Sequence, residues 1–244
     1  MAEENLNLPA SKLALGPEES PQDKDFRSSF HWRIFRIIAE FVDGWQFLAD
    51  FKKIITFFGS ARNREGDRWY EEARKLGNML AKNGYDVVTG GGPGIMEAGN
   101  RGAFEAKHAS GDVNMGDSIG LNIKLPYEQR INKYVNKSVA FHYLFVRKVM
   151  LSYYAQDYIL FPGGYGTLDE AFELLTLLQV GKIPKAKLTF VGKEFWGPLA
   201  KWLEQEVLGK FEAIDKEDLN LFTIVDSAEE AYEAIKKTPE RKEF

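Results

Sequence analysis

Short apolar runs alternate with amphipathic helical patterns along most of this chain, and this alternation constrains the fold more than any other feature. The apolar runs have the length and composition of buried strands, and the segments between them have helical periodicity. Strands are predicted over residues 53–58, 85–89, 118–123, 136–141, 158–161, 187–191 and 221–225. Helices are predicted over residues 67–83, 95–107, 144–155, 168–180, 195–208 and 228–237. This order predicts an α/β fold with a doubly wound, mostly parallel, Rossmann-like sheet covered by helices on both faces.

Turns rich in glycine follow three of the predicted strands, at Gly59-Ser60, Gly90–Gly94 and Gly163–Gly166. Sheets of this kind bind ligands beyond the carboxyl ends of their strands, where all three turns would lie. The helix that follows each turn presents free N–H groups and a partial positive charge, which suit a phosphate. The turns lack both the Gly-x-Gly-x-x-Gly spacing of dinucleotide sites and the Walker Gly-Lys-Ser/Thr sequence. We therefore expect a single phosphate, held between helix N-termini, rather than NAD or ATP.

The third turn belongs to the segment Pro162-Gly-Gly-Tyr-Gly-Thr-Leu-Asp-Glu170. Pro162 ends the strand, and Thr167 is placed to cap the helix that follows. Glu170 would lie one turn into that helix and face the same opening as the glycines. The same residues also fit a capping box, in which Thr167 and Glu170 only close the first turn of the helix.

Two further segments carry polar groups where a ligand would bind. In Thr89–Ala98, Pro93 suits the start of a helix, and Glu97 falls in its first turn. Glu97 can face a ligand there or only stabilise the helix dipole. Arg147 and Lys148 are adjacent cations in a mostly apolar segment. They can serve a site, extend their charged ends to solvent, or, for Arg147, form a structural ion pair with Glu170.

These three motifs, in this order, resemble those of the Lonely Guy family, often described as lysine decarboxylase-like. The resemblance rests on Pro162–Glu170, on Thr89–Ala98 in its bacterial form, and on the Arg147-Lys148 pair; it spans residues 52–225. Members of this family are nucleoside 5′-monophosphate phosphoribohydrolases, which release the free base and ribose 5-phosphate. The resemblance implies the same activity here. It implies neither a metal nor a redox cofactor.

The resemblance also implies roles for particular residues. Glu170 is the first choice for the carboxylate that stabilises the positive charge developing on the ribose, and Glu97 is the second choice. Arg147 would orient the leaving base or fix Glu170, so Arg147 and Glu170 are the predicted catalytic residues. The predicted substrate- and phosphate-binding residues are Ser60, Gly91, Gly92, Gly94, Glu97, Lys148, Gly163, Gly164, Gly166 and Thr167. Because the second loop has the bacterial form, AMP is at least as plausible a substrate as a cytokinin riboside monophosphate.

Composition narrows the classes of protein. The 244 residues are 44% apolar and 28% charged, as in an ordinary globular protein. The net charge of −4 and the lack of a basic block argue against nucleic acid as a partner, and no apolar run is long enough to span a membrane. The chain has no cysteine, which is compatible with a cytoplasmic location. Its three histidines, His31, His108 and His142, lack the spacing of metal ligands.

The N-terminal part differs from the rest. Residues 1–25 contain six acids and two lysines, no aromatic residue and three prolines, and we expect most of this tail to be disordered. Residues 26–51 form a predicted helical extension, with an apolar stripe that includes Phe30, Ile34, Phe41, Trp45 and Leu48. Residues 52–244 would then form one nucleotide-binding domain. This stripe and residues 146–154 are candidate contact surfaces of a homodimer or larger homo-oligomer, which the resemblance implies.

Two other functions remain open from the sequence. Molybdenum-cofactor carriers resemble the same family and share its glycine motifs, so the chain could be a nucleotide- or cofactor-binding carrier without turnover. Decarboxylation of lysine would need a lysine that forms a Schiff base and a site for pyridoxal phosphate. No residue of the sequence marks such a site.

Overall fold

The computed structural model describes residues 30–110, 114–124, 131–184 and 186–236. In chain order the elements are α1 (Phe30–Leu48), β1 (Ile54–Phe58), α2 (Arg68–Lys82), β2 (Asp86–Thr89), α3 (Ile95–Ser110), β3 (Ser118–Ile123), β4 (Lys137–Phe141), α4 (Leu144–Tyr153), β5 (Asp157–Leu160), α5 (Tyr165–Gln179), β6 (Lys187–Val191), α6 (Lys193–Trp202), a π-helix (Leu203–Leu208), a 3₁₀ helix (Lys216–Asn220), β7 (Phe222–Val225) and α7 (Ala228–Ile235). All the strands and helices predicted from residue 53 onward are present.

The seven strands form one sheet in the order β4-β3-β2-β1-β5-β6-β7, and every neighbouring pair is parallel. The chain builds outward from β1 to β4 on one side and then returns to place β5 on the other side of β1. The order therefore reverses beside β1, and such a reversal leaves a crevice at the carboxyl ends of the flanking strands. The predicted α/β fold with a parallel sheet is confirmed.

Each face of the sheet is covered by its own hydrophobic cluster. One cluster contains residues of α1, α4, α5 and α6, among them Leu48, Met150, Leu174 and Trp196. The other contains residues of α2, α3 and α7. The central strand β1 contributes to both, because its successive side chains point to opposite faces: Ile54 joins the first cluster and Ile55 the second. Burial on both faces explains why the strands read as continuous apolar runs.

Two predicted helices differ from those observed. We placed the start of α5 at Leu168 with Thr167 as its cap, and this was wrong: α5 begins at Tyr165, and Gly164, in an extended conformation, is its N-cap. The N–H groups of Thr167 and Leu168 both donate to the Gly164 carbonyl, at 3.0 Å, so Thr167 lies inside the first turn. The single helix predicted over residues 195–208 is an α-helix that continues as the π-helix.

Contacts between Cα atoms divide the chain into two units, residues 1–36 and 37–244. In the first unit, the structure describes residues 30–36, the beginning of α1, where Trp32 and Phe35 are in ring contact. In the second unit, Leu48 is buried, while Ile38, Val42 and Trp45 are 41–52% exposed. The acidic tail lies outside the described residues, and the division into tail, extension and domain stays a prediction.

Candidate active site

A cavity of about 760 Å3 lies at the carboxyl ends of β1 and β5, where the strand order reverses. Four parts of the chain line it: the end of β1 with the loop after it, Gly90 with the start of α3, one side of α4, and the first turns of α5. The lining residues are Phe57, Phe58, Gly59, Ser60, Ala61, Arg62, Gly90, Met96, Leu144, Arg147, Lys148, Leu151, Gly164, Tyr165, Gly166, Thr167, Leu168, Asp169 and Glu170.

The loop after β1 joins the other two glycine turns at Ser60. The Ser60 N–H donates to the Pro162 carbonyl at 3.0 Å, and the Ile95 N–H donates to the Ser60 carbonyl at 3.0 Å. Gly94 has φ = +73°, and a Cβ there would lie 2.7 Å from the Cα atom of Ala61. The first turn and the start of α3 can therefore meet only because this position is glycine.

The N-terminus of α5 opens directly into the cavity. A side chain at Gly164 or Gly166 would meet no atom within 4 Å, so both positions border open space. The first turn of a helix has N–H groups without intrahelical partners and carries a partial positive charge. The bare backbone of Gly164–Gly166 is therefore suited to hold an anionic group such as a phosphate.

Glu170 is the buried carboxylate of the cavity. Its side chain is 12% exposed, and its Oε2 atom is buried without a hydrogen-bond partner among the described residues. Burial raises the pKa of Glu170 from its ordinary value of 4.5 to about 7; Lys148 opposes this shift, and the nearby Glu173 and Asp169 add to it. A carboxyl group with a pKa near neutrality can exchange a proton at physiological pH, as general acids and bases must.

Lys148 is bound by carboxylates on α5. Its Nζ atom lies 2.5 Å from Asp169 Oδ2, 2.7 Å from Glu173 Oε2 and 3.8 Å from Glu170 Oε1. Burial alone would lower its pKa, but the bonds to Asp169 and Glu173 outweigh burial and raise the pKa of Lys148 above its ordinary value. Lys148 is therefore a permanent cation that ties α4 to the first turns of α5.

Arg147 is the second cation of α4 in the cavity. Its Nε atom donates to the Leu121 carbonyl at 2.8 Å, which fixes the guanidinium against the end of β3. A Cβ at Gly90 would collide with Arg147 Nη2, so the glycine leaves the space that the guanidinium fills. Burial lowers the pKa of Arg147, and the charge of Glu170 opposes that shift. The side chain is held by backbone contacts and does not depend on an ion pair for its position.

Comparison with known proteins shows the family to which the chain belongs. A family model described as "Possible lysine decarboxylase" matches residues 96–235. A protein of Oryza sativa subsp. japonica, named cytokinin riboside 5′-monophosphate phosphoribohydrolase LOG, is 30% identical over 194 residues, which cover 78% of this chain and 74% of the rice protein. The chain belongs to the Lonely Guy family. A protein of Arabidopsis thaliana, named cytokinin riboside 5′-monophosphate phosphoribohydrolase LOG7, is 32% identical, but the match covers 54% of this chain and 57% of that protein.

A solved structure extends the comparison of the fold. The molybdenum cofactor carrier protein of Chlamydomonas reinhardtii superposes with a TM-score of 0.55 over 76% of this chain and 97% of the carrier, at 22% identity. This chain and the carrier therefore share the fold. At this identity the likeness concerns the fold alone.

The family motifs bring part of the predicted site to the cavity. Ser60, Arg147, Lys148, Gly164, Gly166, Thr167 and Glu170 line it. Gly91, Gly92, Gly94 and Gly163 do not; they lie in the turns behind it, and a Cβ at Gly163 would collide with Thr167. Glu97 does not line the cavity either, because its carboxylate accepts a hydrogen bond from the hydroxyl of Tyr70 at 3.0 Å, on α2. Of the two candidate carboxylates, the fold thus places Glu170 at the cavity.

The sequence motifs did not single out Arg62 as a residue of the cavity. Arg62 lines the cavity, is exposed, and its N–H donates to Ser60 Oγ at 3.1 Å. Its position two residues after the Gly59-Ser60 turn was the available signal, since that turn ends a central strand. Tyr165, 93% exposed at the start of α5, also lines the cavity and was not singled out.

The described residues include neither a group of metal ligands nor a membrane-spanning helix. Residues 30–236, apart from the gaps at 111–113, 125–130 and 185, include no group of three or more His, Asp or Glu side chains that could hold a metal ion. In the same part of the chain, no helix combines the length and apolarity needed to cross a membrane.

Proposed function

We propose that this protein hydrolyses the N-glycosidic bond of a nucleoside 5′-monophosphate, giving the free base and ribose 5-phosphate. The observation that carries the proposal is Glu170: a carboxylate on the cavity wall, with a buried oxygen that has no hydrogen-bond partner among the described residues and a pKa raised to about 7. A buried, unsatisfied carboxylate costs folding free energy, so its presence in a cavity points to a ligand or a reaction.

The mechanism follows from the charges around the cavity. Cleavage of a glycosidic bond builds positive charge on the ribose, and an ionised carboxylate beside the anomeric carbon stabilises it. Glu170 in its ionised form supplies that charge and can take a proton from the attacking water. Arg147, fixed against β3, is placed to donate a hydrogen bond to the departing base. Lys148 binds Asp169 and Glu173 and offsets part of their negative charge.

The phosphate would lie at the N-terminus of α5, beside the loop after β1. Of the three cations that line the cavity, Lys148 is bound to carboxylates and Arg147 is held by the Leu121 carbonyl beside Glu170. Arg62, for which the described residues provide no carboxylate within ion-pair distance, is the cation best placed to neutralise a dianionic 5′-phosphate. Its role would be to favour monophosphates over nucleosides.

The proposal also concerns which base the substrate carries. Relatives in rice and Arabidopsis are named for cytokinin riboside monophosphates. This chain carries the bacterial form of the second loop, and we propose AMP or a related purine monophosphate alongside the isopentenyl-adenosine monophosphate of the plant-type reaction.

The test is release of ribose 5-phosphate from a panel of nucleoside monophosphates that includes AMP and isopentenyl-adenosine monophosphate. Wild type should release it, and Glu170→Gln should lose most of the activity while still binding AMP. Arg62→Gln should raise the KM for AMP about tenfold or more, as expected from loss of a charge-assisted hydrogen bond. Arg64→Gln, a nearby arginine that does not line the cavity, is the control and should leave the KM unchanged.

A non-catalytic carrier is the second candidate, because a molybdenum cofactor carrier shares the fold. Binding of nucleotide by folded protein without turnover of any monophosphate would favour the carrier. Lysine decarboxylation is disfavoured by Lys148, the lysine that lines the cavity. Formation of a Schiff base requires a neutral amine, whereas bonds to Asp169 and Glu173 raise the pKa of Lys148.

A further inference from the structure

The carboxylate of Glu40, on α1, is bound to the backbone that precedes α4. Glu40 Oε1 accepts a hydrogen bond from the His142 N–H at 2.7 Å, and Oε2 accepts one from the Tyr143 N–H at 3.1 Å. Tyr143 is the N-cap residue of α4, and its own side chain makes no capping hydrogen bond. A helix start needs acceptors for its free N–H groups, and here a residue about 100 positions away supplies them.

A second contact holds α1 against α4 one turn further along. Gly44 is buried, and a Cβ at this position would lie 2.8 Å from Met150 Sδ and 3.0 Å from Phe141 Cε1. The backbone of α1 therefore lies directly on a side chain of α4 and on the last residue of β4. Glu40 and Gly44 are four residues apart and so lie on one face of α1.

α4 is the element that brings the two cations to the cavity. Leu144, Arg147, Lys148 and Leu151 all line it, and Arg147 stands one turn after Tyr143, with its N–H donating to the Tyr143 carbonyl at 3.2 Å. A shift at the start of α4 would therefore move the guanidinium of Arg147 relative to Glu170. Displacements of about 1 Å at a reacting centre can cost about a hundredfold in rate.

We infer that Glu40 is a positioning residue for the proposed hydrolase: by binding the start of α4 in a bidentate manner, it sets the place of Arg147 in the cavity. The helix α1 thus has a role in the reaction, although its residues 37–48 do not line the cavity. This inference rests on the proposed function for its catalytic consequence. Its structural part, the fixation of residues 142–147 by Glu40, can be tested independently.

The experiment compares Glu40→Ala and Glu40→Gln in the full chain with two control variants. Asp43→Asn removes an exposed acid from the same helix. Ser227→Ala removes a different helix cap, the Ser227 hydroxyl that accepts from the Glu230 N–H at the start of α7, and Ser227 does not line the cavity. The Ser227→Ala protein therefore shows what the loss of a cap does to thermal stability alone. Turnover of AMP and amide hydrogen exchange are measured for each protein.

For Glu40→Ala we expect kcat to fall about tenfold, within the range for a misplaced catalytic group, with the KM for AMP changed less than about twofold, because the phosphate site on α5 is intact. Amides 142–147 should exchange faster than in wild type. Glu40→Gln keeps one acceptor oxygen and should show an intermediate loss of kcat, which also provides a readout if Glu40→Ala does not fold. Both control variants should retain the wild-type kcat.

A Glu40→Ala protein with the wild-type kcat and a loss of melting temperature like that of Ser227→Ala would overturn the inference. If wild type itself releases no ribose 5-phosphate, the proposed function fails, and amide exchange alone decides on the structural part. Faster exchange at 142–147 in Glu40→Ala would then support the fixation of α4, and unchanged exchange would overturn it.

Discussion

At the scale of single residues, the site is defined by a carboxylate that the fold makes costly to ionise. Burial raises the pKa of Glu170, and the charges of Glu173 and Asp169 raise it further. The charges of Lys148 and Arg147 act in the opposite direction. Glu170 therefore titrates near neutral pH and is not held permanently ionised by an ion pair. The raised pKa also makes the free energy of unfolding depend on pH.

Replacing Glu170 by Gln should stabilise the protein at alkaline pH. A carboxyl whose pKa is raised from 4.5 to about 7 on folding binds its proton more tightly in the native state, so stability is lost as pH rises between these values. At pH 8, Glu170→Gln should unfold with a free energy higher by up to about 3 kcal/mol, since each pKa unit corresponds to about 1.4 kcal/mol. The difference should vanish near pH 4.

Urea denaturation at pH 4, 6 and 8 would measure this dependence. Glu204→Gln, an exposed carboxylate on the π-helix, is the control and should show no such trend. A Glu170→Gln protein that is equally or less stable than wild type at pH 8 would contradict the assignment of Glu170 as a destabilising, site-specific carboxylate.

At the scale of elements, the site depends on how closely helices approach each other. α2 and α3 pack backbone to backbone through glycines: a Cβ at Gly77 would collide with the Gly99 carbonyl, and one at Gly102 with the Arg74 carbonyl. α3 starts at the second glycine turn, places Met96 in the cavity and is bonded to Ser60 through Ile95. The packing of α2 on α3 therefore fixes one wall of the site.

Gly102→Ala should be more destabilising than Gly99→Ala. At Gly102 the added methyl would lie 2.7 Å from the Asn78 nitrogen and 2.9 Å from the Arg74 carbonyl carbon, which are backbone atoms that cannot move alone. At Gly99 it would meet the ring of Phe57, at 2.8 Å, and a ring can turn. Overpacking costs about 1–3 kcal/mol, and the gain of about 1 kcal/mol for Ala in a helix offsets little of it at Gly102.

The free energies of unfolding of the two variants, measured by urea denaturation, provide the check. Equal stabilities, or a Gly102→Ala protein as stable as wild type, would show that α2 and α3 can separate without cost and would contradict this account of the packing.

At the scale of the whole molecule, exposed apolar side chains predict self-association. Of the predicted contact segment 146–154, the structure buries Val146, Met150 and Leu151 in the core. The exposed apolar residues of α4 are instead Leu144 and Phe145, at 56% and 50%, at the start of the helix and beside the cavity. Contiguous apolar surface of this kind is typical of an interface.

We therefore predict a homodimer or a larger assembly of the 27.8 kDa chain. Sedimentation equilibrium should give at least twice the chain mass, and Phe145→Asp should shift the protein toward the monomer, because a buried unpaired charge is costly. Phe211→Asp, at a more exposed aromatic residue after the π-helix, should leave the mass unchanged. A monomeric wild-type protein would contradict the prediction.

The sequence by itself determined the architecture and the motifs. All seven strands were placed within about one residue of those observed. Central strands such as β1 and β5 are apolar runs buried on both faces, whereas β4, at the edge of the sheet, is mostly exposed. The glycine turns marked the carboxyl ends of the strands because close backbone approach leaves few other residues possible. Patterns of this kind depend on residues that are neighbours in the sequence.

Only the tertiary structure decided which groups face the cavity. Glu97 lies in the first turn of α3 and Glu170 in the second turn of α5, each after a glycine turn. The hydroxyl of Tyr70, 27 residues before Glu97, binds Glu97, whereas Glu170 lines the cavity. The hydrogen bond that Glu40 accepts from the backbone before α4 also depends on a long-range contact. The pairing of distant side chains is set by packing, and no local periodicity encodes it.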